Sequence, residues 1–131
     1  MANKTYDTLG LIVSGQAVTT TASCTGANIV GLNLGSNQYV AVLNSGAVTG
    51  TVDGSNYYTL QLQGSDAVGG TYYNIGNAVT LPATASQFQI GFTSEQLQDQ
   101  LATGIDFFRV TATKVGTTAT ACSYTAFISK I

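Results

Sequence analysis

One stretch of sequence decides the fold class: residues 57–66, which read YYTLQLQGSD. From Tyr58 to Leu62 every second residue is large and apolar, and Thr59 and Gln61 lie between them. A β-strand directs successive side chains to opposite faces, so this period of two gives one apolar face and one polar face. The stretch therefore predicts a strand that is buried on one side and ends in a Gly-Ser-Asp turn.

Similar short segments recur along the rest of the chain. Strands are predicted at residues 9–13, 28–34, 39–43, 47–52, 57–63, 71–75, 87–92, 107–114 and 123–131. Glycine occurs 15 times and proline once, which is typical of a chain that turns often between strands. The pattern predicts a single all-β domain, residues 1–131, folded as an antiparallel β-sandwich.

A change of period marks the one expected helix, at residues 94–101. Thr93 and Gln96 fit a capping box, and Leu97 and Leu101 fall on one helical face. A jelly roll is the expected type of sandwich, because one long return connection accommodates this helix. An immunoglobulin-like sandwich is the alternative, but the chain has no Trp for the Cys-Trp-Cys hallmark of that fold.

The surface is expected to be polar but almost uncharged. Charged residues make up 8% of the chain, against about 25% in an ordinary soluble domain. Neutral polar side chains lose less free energy than ions when another protein covers them. This composition favours a protein that packs within an assembly, with a secreted or adhesive β-domain as the alternative.

The charge and hydropathy patterns exclude two classes of partner. The net charge is −2, and the basic residues are only Lys4, Arg109, Lys114 and Lys130, too few to form a face for nucleic acid. No apolar run approaches the roughly 18 residues of a membrane helix, and Gly10 interrupts the best signal-peptide candidate. We therefore expect no nucleic-acid partner, no membrane association and no export by the general route.

The sequence shows no catalytic or metal-binding constellation. The chain contains no His, so neither Cys24 nor Cys122 has an imidazole base, and the two cysteines cannot complete a zinc site. Reduced thiols are expected, with a disulfide between them as the alternative. Five acidic residues each have a structural explanation. Asp53 and Asp66 suit turns, Glu95 suits a helix start, Asp99 should face solvent, and Asp106 could form an ion pair with Arg109. We expect no enzyme activity, cofactor or metal.

Two groups of side chains are candidates for protein contacts. Tyr57 and Tyr73 belong to tyrosine pairs on two strands that should form a hairpin, and alternation sends one tyrosine of each pair outward. With Gln61 they form a contact patch, a sugar-stacking platform, or a cross-strand pair that merely stabilises the hairpin. Phe127 and Ile131, opposite the presumed core face of the last strand, form the second group.

Two parts of the sequence carry a resemblance to a known family. Residues 58–66 (YTLQLQGSD), followed by glycines and by Thr71-Tyr72-Tyr73, resemble a hairpin common in small capsid cement (decoration) proteins of tailed bacteriophages. Residues 87–92 (QFQIGF), the expected helix, and residues 106–113 (DFFRVTAT) agree with it. Discoidin-like carbohydrate-binding sandwiches share the hairpin, but there a Gly usually follows the Asp directly, where this chain has Ala67-Val68.

The resemblance covers only the second half of the chain and implies a function without catalytic residues. Such a protein is a jelly roll that forms symmetric oligomers, with a homodimer preferred here over a homotrimer. It would be assembled in the host cytoplasm, lie on the outer capsid surface of the virion, and bridge neighbouring subunits of the major capsid protein. A carbohydrate-binding or adhesive module of a phage tail or cell surface is the alternative.

Overall fold

The computed structural model describes residues 10–29, 32, 37–100 and 104–130. In chain order their elements are β1 (Leu11–Val18), β2 (Ala22–Ser23), β3 (Ala27–Asn28), β4 (Gln38–Ser45), β5 (Thr49–Gly50), β6 (Tyr57–Ser65), β7 (Tyr73–Asn74), β8 (Val79–Thr80), β9 (Ser86–Thr93), α1 (Ser94–Gln100), β10 (Phe107–Val115) and β11 (Ala119–Lys130). Over these ranges, no helix has both the length and the apolar character needed to span a membrane.

The strands form two sheets, and the neighbours within each sheet are antiparallel. The first sheet has the order β1-β11-β4-β9, with β5 beside β11. The second sheet has the order β2-β10-β6-β7, with β3 beside β10 and β8 beside β6. The predicted all-β sandwich is therefore confirmed, and its single helix in the described residues connects β9 of the first sheet to β10 of the second.

The core lies between the two sheets and is built by the inward half of each alternating strand. In β6, Tyr58, Leu60 and Leu62 are fully buried, as their spacing predicts. The ring of Phe92 in the first sheet lies 6.1 Å from that of Phe108 in the second, so aromatic packing joins the layers. Burying one such large apolar side chain contributes about 1.5–3 kcal/mol.

Helix α1 begins where the sequence predicts. The Thr93 hydroxyl accepts a hydrogen bond from the Gln96 amide at 3.3 Å, and the Gln96 side chain accepts one from the Thr93 amide at 2.8 Å. These two bonds confirm the capping box. Leu97 is buried in the core, whereas Leu101 lies outside the described residues.

The first half of the chain departs most from the predicted strand boundaries. β1 ends at Val18, five residues beyond the predicted end at residue 13. Two register shifts against β11 break the alternation from which its length could have been predicted. Of the strand predicted at residues 28–34, the structure describes residues 28, 29 and 32, and among these Asn28 is in a strand. Two-residue strands such as β2 and β3 are too short to produce a detectable period.

Gly64 lies where β6, β7 and the segment before β10 pack together. A Cβ at this position would collide with Ile105 and approach Ile75 Cδ1 to 3.0 Å. We expect Gly64→Ala to lower the free energy of unfolding by about 1–3 kcal/mol, because the packed core must move to admit the methyl group. Urea denaturation measures this change.

Gly69→Ala is the matched control for Gly64→Ala. Gly69 is exposed in the loop after β6, and a Cβ at this position would have no atom within 4 Å of it. The free energy of unfolding of this variant should therefore stay within about 0.5 kcal/mol of the wild-type value. Equal midpoints for the two variants would contradict the packing described at Gly64.

Candidate interaction surface on the second sheet

The two tyrosine pairs do not form the predicted outward patch. Tyr58 points inward and Tyr57 outward, as expected, and Tyr57 is half-buried opposite Val115. Tyr73, however, pairs with Gly64, which faces the core, so the predicted outward orientation of Tyr73 is wrong. Tyr57 and Tyr73 therefore lie at opposite ends of β6, with Tyr73 half-buried at the sheet edge.

The side-chain amide of Gln61 makes hydrogen bonds within the chain. Its side-chain amide donates to the carbonyl oxygens of Leu62 at 2.8 Å, Ile75 at 3.2 Å and Gly76 at 3.2 Å. These bonds tie β6 to the irregular segment between β7 and β8. The main contribution of Gln61 is to hold that segment in place, and its NH₂ group is not free to bind a partner.

Phe127 lies opposite the core face of β11, as expected, but it is not an exposed anchor. It packs in a second apolar cluster with Val40, Val42 and Leu11 on the outer face of the first sheet. Only 3% of Phe127 is exposed, which leaves almost no area for a partner to cover. Ile131, the other residue of this predicted group, lies outside the described residues.

The outer face of the second sheet does bring together a set of polar and aromatic side chains, here named the Arg109 cluster. It consists of Gln63, Tyr72, Asn74, Arg109 and Thr111. The Arg109 guanidinium carbon lies 3.9 Å from the centre of the Tyr72 ring. Gln63 Oε1 accepts hydrogen bonds from Arg109 Nε at 2.9 Å and from the Thr111 hydroxyl at 2.8 Å. The Gln63 amide donates to Asn74 Oδ1 at 3.0 Å.

Strand register explains why these side chains meet. β10 pairs with β6 so that Arg109 is opposite Gln63, and β7 pairs with β6 so that Gln63 is opposite Asn74. Directly opposed residues on one face of a sheet lie about 5 Å apart and contact each other. The cluster is thus a row across three adjacent strands, and Tyr72, the residue before β7, covers the Arg109 end of it.

Tyr72 is fixed on three sides. Its hydroxyl donates to the Val68 carbonyl oxygen at 2.8 Å, its ring contacts Arg109, and Gly26 lies directly against its hydroxyl. Val68 itself is 52% exposed and is the large hydrophobic residue that stands out on the surface of the described residues. The loop between β6 and β7 therefore presents an apolar tip next to an ordered arginine–tyrosine pair.

The hydrogen-bond acceptor of Arg109 Nε is a neutral group, the side-chain amide of Gln63. The structure gives Arg109 no contact with Asp106 among the described residues, in contrast to the ion pair expected from the sequence. A guanidinium over a tyrosine ring is stabilised by about 0.5–1 kcal/mol at an exposed site. Burial raises the pKa of Tyr72, while the nearby Arg109 charge acts in the opposite direction.

The groups on this surface are hydrogen-bond donors and acceptors, one cation and one ring. It offers one guanidinium, two side-chain amides and two hydroxyls, one of which is on an aromatic ring, and none of these is a general base at neutral pH. Across the part of the chain that the structure describes, no group of His, Cys, Asp or Glu is arranged to hold a metal ion. Cys24 and Cys122 are buried free thiols, which agrees with the expected reduced state.

Sequence reasoning missed Tyr72, Asn74 and Arg109 as a group. The outward position of Arg109 is visible in the sequence, because Phe108 and Val110 on either side of it are apolar. The sequence does not show whether Tyr72 or Tyr73 faces outward, because this depends on which residues of the irregular segment after β6 pair with that strand.

No family model, curated protein or solved structure matches this chain.

Gln63 is the central acceptor of the Arg109 cluster, so its removal tests the network. We expect Gln63→Ala to lower the free energy of unfolding by about 0.5–1.5 kcal/mol, because Arg109 Nε loses its partner and the Thr111 hydroxyl keeps only its bond with the Ser23 hydroxyl. Chemical denaturation measures the change, with Gln16→Ala as the control. The Gln16 side chain bonds to the adjacent Ala17 carbonyl, so an equal loss in both variants would contradict a stabilising network.

Cys122 gives a prediction about pH. Burial raises the pKa of this thiol from 9.0 to about 11. Between pH 9 and pH 11 the unfolded chain loses the Cys122 proton while the folded chain keeps it, so the free energy of unfolding should fall as pH rises. The free energy of unfolding of Cys122→Ala, measured from denaturation curves recorded across this pH range, should fall less steeply than that of the wild type. Parallel pH profiles for the variant and wild type would contradict the protonated buried thiol.

Proposed function

We propose that this protein is a structural virion protein that decorates a bacteriophage capsid, with the Arg109 cluster as its contact with the major capsid protein. The observation that carries the proposal is an ordered arginine–tyrosine pair, half-buried among neutral polar side chains on the outer face of the second sheet. The resemblance of residues 58–66 and 106–113 to capsid cement proteins supports the same conclusion, and both stretches contribute to this face.

The composition of the Arg109 cluster suits a binding anchor. Tyr and Arg are enriched among the few interface residues that contribute most of the binding free energy. The Tyr72 and Arg109 side chains are already held by Val68 and Gln63, so docking would immobilise little further. Preorganisation of this kind lowers the entropy cost of association. The surrounding hydroxyl and amide groups are also less costly to desolvate than charged groups.

The jelly-roll form of the sandwich is part of this proposal. The order β1-β11-β4-β9 faced by β2-β10-β6-β7 supports it, because the chain passes repeatedly from one sheet to the other. Two sheets packed face to face are a rigid support. Contacts on its surface can therefore transmit load between capsid subunits without the domain itself deforming.

A homo-oligomer would let modest contacts act together. When one copy is bound, its linked partner is held near the next capsid subunit at high effective concentration. Avidity can then exceed the affinity of one site by a factor of about 10²–10⁴. We therefore expect a decoration protein with one small contact region per copy to work as an oligomer on the outside of the shell.

Carbohydrate binding is the second candidate, and the same cluster gives the reason. Amides, a guanidinium and a tyrosine ring are groups that hydrogen-bond and stack on sugars. One face of the Tyr72 ring, however, is already covered by Arg109, and its hydroxyl is bonded to Val68. Only the second ring face remains for a pyranose, which makes this arrangement a poorer sugar platform than a free aromatic ring.

Arg109→Ala tests the proposed contact on purified phage capsids that lack their decoration protein. Wild-type protein should cosediment with the shells, and the variant should bind about 10- to 30-fold more weakly, as expected for the loss of an interface anchor. Lys114→Ala removes another cation of the same strand and should bind as wild type does. Circular dichroism should show that both variants remain folded.

The same assay distinguishes the two candidate functions. Glycan-array binding that is lost in Arg109→Ala, together with no binding to shells, would replace the capsid proposal with the carbohydrate one. Shell binding that is equal for wild type and Arg109→Ala would remove the Arg109 cluster from the contact. No binding to shells or glycans would contradict both proposals.

A further inference from the structure

We propose that the outer edge of β9 is a second interaction surface, on which β9 of a second copy of this chain pairs antiparallel about a twofold axis. The first sheet would then continue from one subunit into the other. This inference rests on the geometry of β9 and does not depend on the capsid proposal.

β9 is an edge strand with a full set of outward backbone groups. It pairs with β4 along its whole length, from Gln38↔Thr93 to Ser45↔Ser86, and with no other described strand. The Ser94 amide donates to the Asn37 carbonyl, which fixes the residues that face β4. Because bonded and outward residues alternate, Gln87, Gln89 and Gly91 direct their N–H and C=O groups away from the sheet.

These outward groups have no backbone partner among the residues that the structure describes. Their sequence also lacks the features that normally protect an edge, since residues 86–93 contain no charge, no proline and no register shift. Exposed edges of this kind are templates for pairing with another strand. No strand of the described residues covers this edge, which leaves it available to a partner strand.

The other sheet edges are protected in ways that β9 is not. β1, the opposite edge of the first sheet, has two register shifts against β11, and Gly15 within it has φ of 61°. In the second sheet the outermost described strands, β2, β3, β7 and β8, are each two residues long. Among the described strands, β9 alone combines an edge position with a long, regular ladder.

The capping box of α1 defines where the available edge ends. The next outward amide after Gly91 is that of Thr93, and it already donates to Gln96 Oε1 at 2.8 Å. The open segment is thus residues 87–91. This length favours one short added strand, paired through about six backbone hydrogen bonds.

A second copy fits this segment because the segment is complementary to itself. With the twofold axis at Gln89, Gln87 of one copy lies opposite Gly91 of the partner subunit. No atom lies within 4 Å of a Cβ built at Gly91, so there is room for that glutamine side chain. On the core side, half-buried Phe88 lies opposite Ile90 of the partner subunit.

The absence of charge in residues 86–93 favours the second copy over an unrelated partner strand. A twofold axis at residue 89 places that side chain next to its own copy, so a charged residue there would face a like charge and weaken the pair. A neutral Gln89 facing Gln89 of the partner subunit carries no such cost, and two primary amides can bond to each other.

A charge-exchange experiment tests this interface. Wild-type protein should be dimeric by sedimentation equilibrium and native mass spectrometry. Gln89→Lys and Gln89→Glu should each self-associate at least tenfold more weakly, because like charges meet at the axis. An equimolar mixture should recover a dimer that contains one chain of each variant, since the charges are then opposite.

Thr84→Lys and Thr84→Glu are the matched controls. Thr84 is exposed in the turn before β9, and its hydrogen bond with the Ser86 hydroxyl uses only its backbone carbonyl. These variants should remain dimers. Because residue 89 is also exposed, the Gln89 variants should keep wild-type unfolding midpoints once dissociation is taken into account.

Three results would overturn the proposal. They are a monomeric wild type, dimers that persist in both Gln89 variants, and a mixture that forms no mixed dimer. A monomeric wild type that binds shells through residue 89 would assign the edge to an extended segment of the capsid protein instead. Shell binding by a monomeric wild type would leave the proposed capsid contact standing without the oligomer, and dimers without shell binding would leave only this inference standing.

Discussion

The pairing of β10 with β6 is the constraint on which the rest of the structure depends. It runs without interruption from Phe107↔Ser65 to Val115↔Tyr57. One face of this pair supplies Leu62 and Val110 to the core, and the other face places Arg109 beside Gln63. A shift of one residue would turn the whole apolar set of one strand toward solvent and bury a guanidinium. Core formation and the outer surface are thus fixed by the same register.

The parts of the fold that can be predicted from sequence are those where the burial pattern has a clear period. β6, β9 and β10 each keep an alternating pattern over most of their eight or nine residues, and the capping box of α1 has both of its hydrogen bonds. The irregular first half is harder to predict, because bulges in β1 and two-residue strands leave no period to detect.

The candidate site is harder to predict than the fold, for reasons visible at single residues. The sequence prediction has Tyr73 rather than Tyr72 as the outward-facing tyrosine. However, β7 pairs with β6 over only two residues, and its register is set by the loop before it. The sequence places Gln61 on an outward face, yet carbonyls from a distant turn occupy its amide. Phe127 faces away from the core but is buried in a second cluster.

The hydrogen bond between the Thr93 amide and the Gln96 side chain affects both helix α1 and the edge of strand β9. It closes the first turn of α1, and it removes the last outward donor of β9. Unwinding of that first turn would release the donor and lengthen the exposed ladder by one position. The stability of a seven-residue helix therefore sets how much of the sheet edge is open, and a sequence change in the helix can alter strand pairing without touching a strand.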